Sequence, residues 1–135
     1  KRIIGAEPAN AMLLADMDWW PHKTQGWTPD FIPFVLQEAI DKSFYDQIIP
    51  ISSEAGIEWA HKLAKQEGII TGVSGGSTFA VAMEIANQAP DNSVILCMLP
   101  DTAERYMSSP LFEGIDSEMD AEELSISKST PGFQL

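Results

Sequence analysis

Apolar residues gather in four short runs of strand length: Arg2 to Glu7, Asp46 to Ser52, Ile69 to Val73 and Ser93 to Leu99. Unbroken stretches such as Ile69-Ile70 and Val94-Ile95-Leu96 suit strands covered on both faces, the pattern of a parallel sheet. Helical periodicity fills the intervals. Ser53 to Gln66 has hydroxyls at Ser52 and Ser53 for an N-cap, Glu54 in the first turn, an apolar stripe at Ile57, Ala60 and Ala64, and Gly68 as a stop. Ser77 to Gln88 is apolar almost all round, which predicts packing on two sides, and it ends in the turn signal Ala89-Pro90-Asp91-Asn92. Another helix is expected to start near Pro33, tolerated in a first turn, and to run through Ile40. Ala9 to Ala15 reads as a short helix, and residues 18–30 as a long loop with aromatic anchors. Strands alternating with helices make this an α/β layer structure, and no internal repeat is visible.

The stretch from Glu67 to Ser77 stands out. A short apolar strand breaks into Ser74-Gly75-Gly76-Ser77, which opens directly onto a helix. Free backbone N–H groups and the positive end of the helix dipole make such a turn a site for an anion or a polar ring. Equally, glycines there serve to pack strand against helix. The spacing is not that of a dinucleotide fingerprint, and no Gly-Lys-Ser phosphate loop occurs.

Composition narrows the partners. At 135 residues and 44% hydrophobic, the chain can form one globular domain with a core. No run approaches the roughly 18 apolar residues of a membrane helix. The opening Lys-Arg-Ile-Ile reads as a strand, so neither signal peptide nor anchor is expected. A formal charge of −12 with eight scattered Lys and Arg argues against a nucleic-acid partner. Much of the excess lies in Glu113, Asp116, Glu118, Asp120, Glu122 and Glu123, read as a solvated tail helix or semi-ordered arm over residues 113–135 and set apart from a body over 1–112. Ser127 to Gly132 reads as a loose end. The one cysteine, Cys97, lies among apolar neighbours that predict a buried, unreactive thiol, and a reducing compartment fits.

Other catalytic groupings are weak. Ser74 or Ser77 with His22 or His61 would make a nucleophile and base, but His61 falls on a predicted helix and His22 in a loop, where packing or anchoring is the simpler role. No cluster of His, Cys and carboxylates has metal-ligand spacing. The four tryptophans, without a basic groove, are loop anchors and core filling.

Five stretches taken in order carry a resemblance: Ile4-Gly5-Ala6-Glu7-Pro8, His22-Lys23-Thr24-Gln25-Gly26, Asp30-Phe31-Ile32-Pro33, Gly72-Val73-Ser74-Gly75-Gly76-Ser77, and Leu99-Pro100-Asp101-Thr102-Ala103-Glu104-Arg105-Tyr106. Together they resemble the cysteine synthase and cystathionine β-synthase family of pyridoxal-phosphate enzymes, fold type II, from residue 1 to about Phe112. The resemblance implies part of that family's large domain, a partial three-layer sandwich on a mostly parallel sheet.

It also implies roles. Ser74 matches the serine that bonds the pyridine nitrogen of pyridoxal 5'-phosphate; a neutral donor leaves the ring unprotonated, which suits elimination and replacement at the substrate β-carbon. Gly72, Gly75 and Gly76 would admit the flat ring, Pro100 and Asp101 would line its edge, and Gln25-Gly26 would face the substrate. Arg105 and Tyr106 would be structural. The implied reaction makes cysteine from O-acetylserine and sulfide, with cystathionine β-synthase activity as a weaker option, in a soluble homodimer of cytoplasm or plastid. Two departures stand against this. Where the family carries further glycines after Gly26, this chain has Trp27-Thr28-Pro29. The Schiff-base lysine, the loop for the substrate carboxylate and the phosphate cup lie upstream of the equivalent of Lys1, so the chain is expected to be a C-terminal portion, inactive alone. None of Lys1, Lys23, Lys42, Lys62, Lys65 and Lys128 sits in a matching context. The competing expectation is a non-catalytic subunit or scaffold whose exposed sheet is covered by the other half or by another protein.

Overall fold

The computed structural model describes residues 1–15, 17–129 and 132. Two strands, β1 (Ile4–Pro8) and β2 (Gln47–Ile51), pair in parallel with Ile4 opposite Gln47 and Pro8 opposite Ile51. Their connection carries a single 3-10 turn (Leu13–Ala15), a loop, and helix α1 (Phe34–Asp41). Of the helix expected over Ala9 to Ala15, only that last turn forms. Ala11 instead bridges Trp19, and the Trp20 amide donates to the Asn10 carbonyl at 2.8 Å, so this stretch folds back on the following loop.

Helix α2 (Ser53–Glu67) is built as its residues dictate. Ser52 accepts from the Ala55 amide at 3.1 Å, Glu54 lies in the first turn, and Gly68 closes the helix in the left-handed region at φ 68°. Helix α3 (Val73–Ala86) packs against it. This helix starts four residues before the expected Ser77, so the Ser74-Gly75-Gly76-Ser77 segment is its first turns and not a turn leading into it. The local reason is α2. A Cβ on Gly76 would lie 2.0 Å from the Gly56 carbonyl oxygen, so two glycine faces let the helices meet backbone to backbone. Below them Ala60, Val73, Ala103 and Leu111 form the buried core, with Ile57, Tyr106 and Phe112 packed on it.

The third and fourth expected strands do not form ladders among the described residues. Ile69-Ile70 and Val94 to Leu99 run outside any strand; Thr71 makes one antiparallel bridge to Thr102. Val94 and Leu96 are each 96% exposed. Their β-branched and apolar composition suits a strand buried on both faces, yet a strand is completed by hydrogen bonds along its edges, and the β1–β2 pair does not reach these runs. The acidic tail does hold a helix, α4 (Ala121–Ser129), entirely exposed. Asp120 accepts from the Glu122 and Glu123 amides at 2.8 Å while Glu123 accepts from the Asp120 amide at 3.0 Å, a reciprocal cap. The loose end expected up to Gly132 includes Thr130 and Pro131, which lie outside the described residues. No helix among the described residues is long and apolar enough to cross a membrane.

Candidate functional site

Gly72 enters α3 extended, with no side-chain cap, so the first N–H groups of the helix have no partner within it. Ser74 sits in this turn, 7% exposed. Beside it, Asp101 and Tyr106 press on Gly72: a Cβ there would lie 2.5 Å from Asp101 Oδ1 and 2.6 Å from Tyr106 Cε2. Tyr106 donates its phenol proton to Asp101 Oδ2, and Thr71 donates its hydroxyl to the Asp101 carbonyl at 3.1 Å. Asp101 Oδ1 is buried without a partner. The bond to Asp101, then burial, holds the Tyr106 phenol above its ordinary pKa.

The three glycines of this turn are each filled from the protein side. Asp101 and Tyr106 occupy the space at Gly72, the Thr71 side chain that at Gly75 (Oγ1 at 1.9 Å from a Cβ), and α2 that at Gly76. Pro100 is exposed and precedes this group along the chain.

Gln25 and Gly26 lie in a second cluster. Their loop is tied to the start of α2, where Ser53 Oγ accepts from the Lys23 amide at 3.1 Å and Lys23 pairs with Glu54 at 3.0 Å. Both residues are exposed at the tip, with Gly26 at φ 76°. Under this loop opens a cavity of about 540 Å3, lined by Gly5, Glu7, Gly26, Trp27, Leu36 and Ile48 among others. Thus the structure brings Gly72, Ser74, Gly75 and Asp101 into one group and sets Gln25-Gly26 in another, hydrogen-bonded to different elements.

Glu7 went unrecognised from sequence as more than part of a motif. It is 3% exposed at the end of β1; Oε1 accepts from the Leu14 amide at 3.0 Å and Oε2 is buried unpaired. Burial raises its pKa, opposed in part by the backbone donors of Leu14 and Leu13. The available signal was a carboxylate inside an otherwise apolar strand.

The nucleophile and base pairings do not assemble. Ser77 is fully buried with its hydroxyl against Gly56, His61 donates to the Leu111 carbonyl at 2.6 Å, and His22 to that of Thr28 at 3.2 Å. Both histidines are anchors. Cys97 is half-buried rather than enclosed, and burial raises its thiol pKa. Among the described residues no group of His, Cys and carboxylates could hold a metal. Lys23, Lys42 and Lys62 are surface residues paired with Glu54, Glu38 and Glu58.

The chain is 43% identical over 119 residues to the O-ureido-L-serine synthase of Streptomyces lavendulae and 42% identical over 110 residues to cysteine synthase B of Campylobacter jejuni. These alignments cover 88% and 82% of this chain but 36% and 35% of the relatives, so the chain spans about a third of their length. A crystal structure of O-ureido-L-serine synthase matches 92% of the chain, and 38% of its own, with a TM-score of 0.81 and 42% identity. The cysteine synthase of Entamoeba histolytica matches 97% of the chain, and 38% of its own, with a TM-score of 0.75 and 28% identity. No protein-family model matches the chain.

Proposed function

The chain belongs to the cysteine synthase family of fold type II pyridoxal-phosphate enzymes, spanning about a third of its relatives' length, and we propose that it supplies the ring-nitrogen wall of such an enzyme's cofactor site. The observation that carries this reading is the placement of Ser74, a hydroxyl residue 7% exposed in the first turn of α3, beside the uncapped entry at Gly72 and the buried, unpaired Asp101 Oδ1. A neutral hydroxyl fits a pyridine nitrogen, since it donates one hydrogen bond without supplying a proton. The free N–H groups of the same turn add positive potential beside it. Nothing comparable among the described residues fits the phosphate or the aldehyde, so the fit is to one edge of the cofactor.

Bound pyridoxal phosphate supplies an electron sink that lets a substituent leave the β-carbon of an amino-acid substrate and a nucleophile replace it. Ser74 would hold the ring at its nitrogen. Thr71 and the Asp101–Tyr106 pair hold the turn that carries Ser74, and Gln25-Gly26 presents backbone on the substrate side. The activity of the whole protein is β-replacement on O-acetylserine, with sulfide as nucleophile, in a homodimer. On this reading the chain alone is inactive, because none of its six lysines matches the family's Schiff-base context.

The test is titration of the protein that carries this chain with pyridoxal phosphate, followed by absorbance. Retained cofactor absorbance, weakened about three- to tenfold in affinity by Ser74→Ala, supports the reading. A spectral change on adding O-acetylserine then assigns the substrate class. No cofactor absorbance favours a second reading, a non-catalytic subunit, which the exposed Val94 to Met98 run also favours, since bare apolar surface of this kind is met by a partner.

A further inference from the structure

We propose that Trp19 and His22 are positioning residues that lock the Gln25-Gly26 turn, so that it acts as a fixed wall and not as a closing lid. This rests on the reading of Gln25-Gly26 as the substrate-facing turn. Both side chains converge on one atom. Trp19 Nε1 donates to the Thr28 carbonyl oxygen at 3.0 Å and His22 Nε2 donates to the same oxygen at 3.2 Å. A carbonyl only accepts, so His22 donates from Nε2, and its Nδ1 is buried and unpaired. The two rings meet edge to face at 6.2 Å, which fixes their relative orientation.

Thr28 shows what the clamp does. Its φ is 28°, a conformation that a β-branched residue rarely adopts, and it precedes Pro29, which further biases it towards extended backbone. Such a geometry persists only where its surroundings over-determine it, and the two donors are what hold it here. The far side of the turn is fixed as well, by the Lys23 amide on Ser53 Oγ and by buried Thr24. Within the turn the Trp27 amide donates to the Thr24 carbonyl at 3.3 Å. Trp19 in turn is bridged to Ala11, just beyond β1, so the clamp is founded on the sheet. Trp27, held in this way, becomes a wall of the 540 Å3 cavity and restricts what can enter beneath the loop.

The experiment is amide hydrogen exchange in the protein carrying this chain, read at Trp27 without cofactor. Trp19→Phe keeps the ring and removes the donor; exchange at Trp27 is expected to quicken about tenfold with global stability little changed. His22→Phe gives a second reading of the same loss. Thr28→Gly keeps the carbonyl and relieves the strain, and protection at Trp27 is expected to survive it. Unchanged exchange in both donor variants, or loss of protection in Thr28→Gly alone, overturns the proposal. In the cofactor-loaded protein Trp19→Phe is expected to raise KM for the amino-acid substrate with kcat held. Because exchange needs no cofactor, its outcome stands apart from that of the cofactor titration.

Discussion

Gly76 faces Gly56 with no room for a side chain between them: a Cβ on Gly76 would lie 2.0 Å from the Gly56 carbonyl oxygen and 2.7 Å from the Ala60 amide nitrogen. Alanine is the better helix former, worth about 1 kcal/mol over glycine in a helix interior. Here backbone stands in the way, and overpacking of this kind costs about 1–3 kcal/mol and pushes the helices apart. Gly76→Ala is therefore expected to lower stability in urea unfolding, against the sign that propensity predicts. Gly68→Ala provides the contrast. Its site is open, and the cost of about 1 kcal/mol comes from the left-handed φ of 68° alone.

Tyr106 and Asp101 close over Gly72 at the start of the Ser74 turn. Tyr106→Phe removes the donor and leaves a second carboxylate oxygen unpaired, an expected loss of about 1–2 kcal/mol. The pH dependence has a definite sign. The phenol pKa is raised above its ordinary 10.0 in the folded state, so the contribution is complete below that value and is lost as pH rises through the folded pKa. Alkaline unfolding of the parent should be steeper than that of Tyr106→Phe.

How much of this was legible follows from the range of each interaction. Ser52, Glu54 and Gly68 specify α2 through contacts within a few residues, so the sequence placed it within one residue of its end. The start of α3 was misplaced because glycines read as a turn, whereas Gly76 answers to Gly56 and Ala60 of α2, a contact that no local pattern encodes. Ile69-Ile70 and Val94 to Leu99 have strand composition, but pairing depends on neighbours along the strand edges, and composition speaks only of the faces. In the site, Ser74 was marked by its motif; the unpaired oxygen of Asp101, the Thr28 clamp and the burial of Glu7 arise where loops fold back on themselves, through contacts five to nine residues apart that follow no helical or strand period.

Glu7 offers a test at acid pH. Its folded pKa is raised above the ordinary 4.5, so the neutral carboxyl is favoured by folding; its contribution is fully present below that pH and is lost as pH rises through the folded value. Glu7→Gln keeps an oxygen for the Leu14 amide and carries no charge. Thermal unfolding should find Glu7→Gln and parent similar near pH 4, with the variant gaining on the parent towards pH 7. A parent that gains stability over that range relative to the variant would show a carboxylate favoured by folding.

Val94 and Leu96 carry the last prediction, because their fate depends on what surrounds the chain. Each is 96% exposed, two residues apart in a run that bonds to no strand. Replacing both with serine removes no burial from the chain by itself, so its unfolding free energy should change by less than about 0.5 kcal/mol while self-association, measured by light scattering, falls. Where a partner covers this run, the same exchange should cost about 1.5–3 kcal/mol for each side chain. A large loss already in the isolated chain would mean that the run packs against residues of this chain, and the need for a covering partner would disappear.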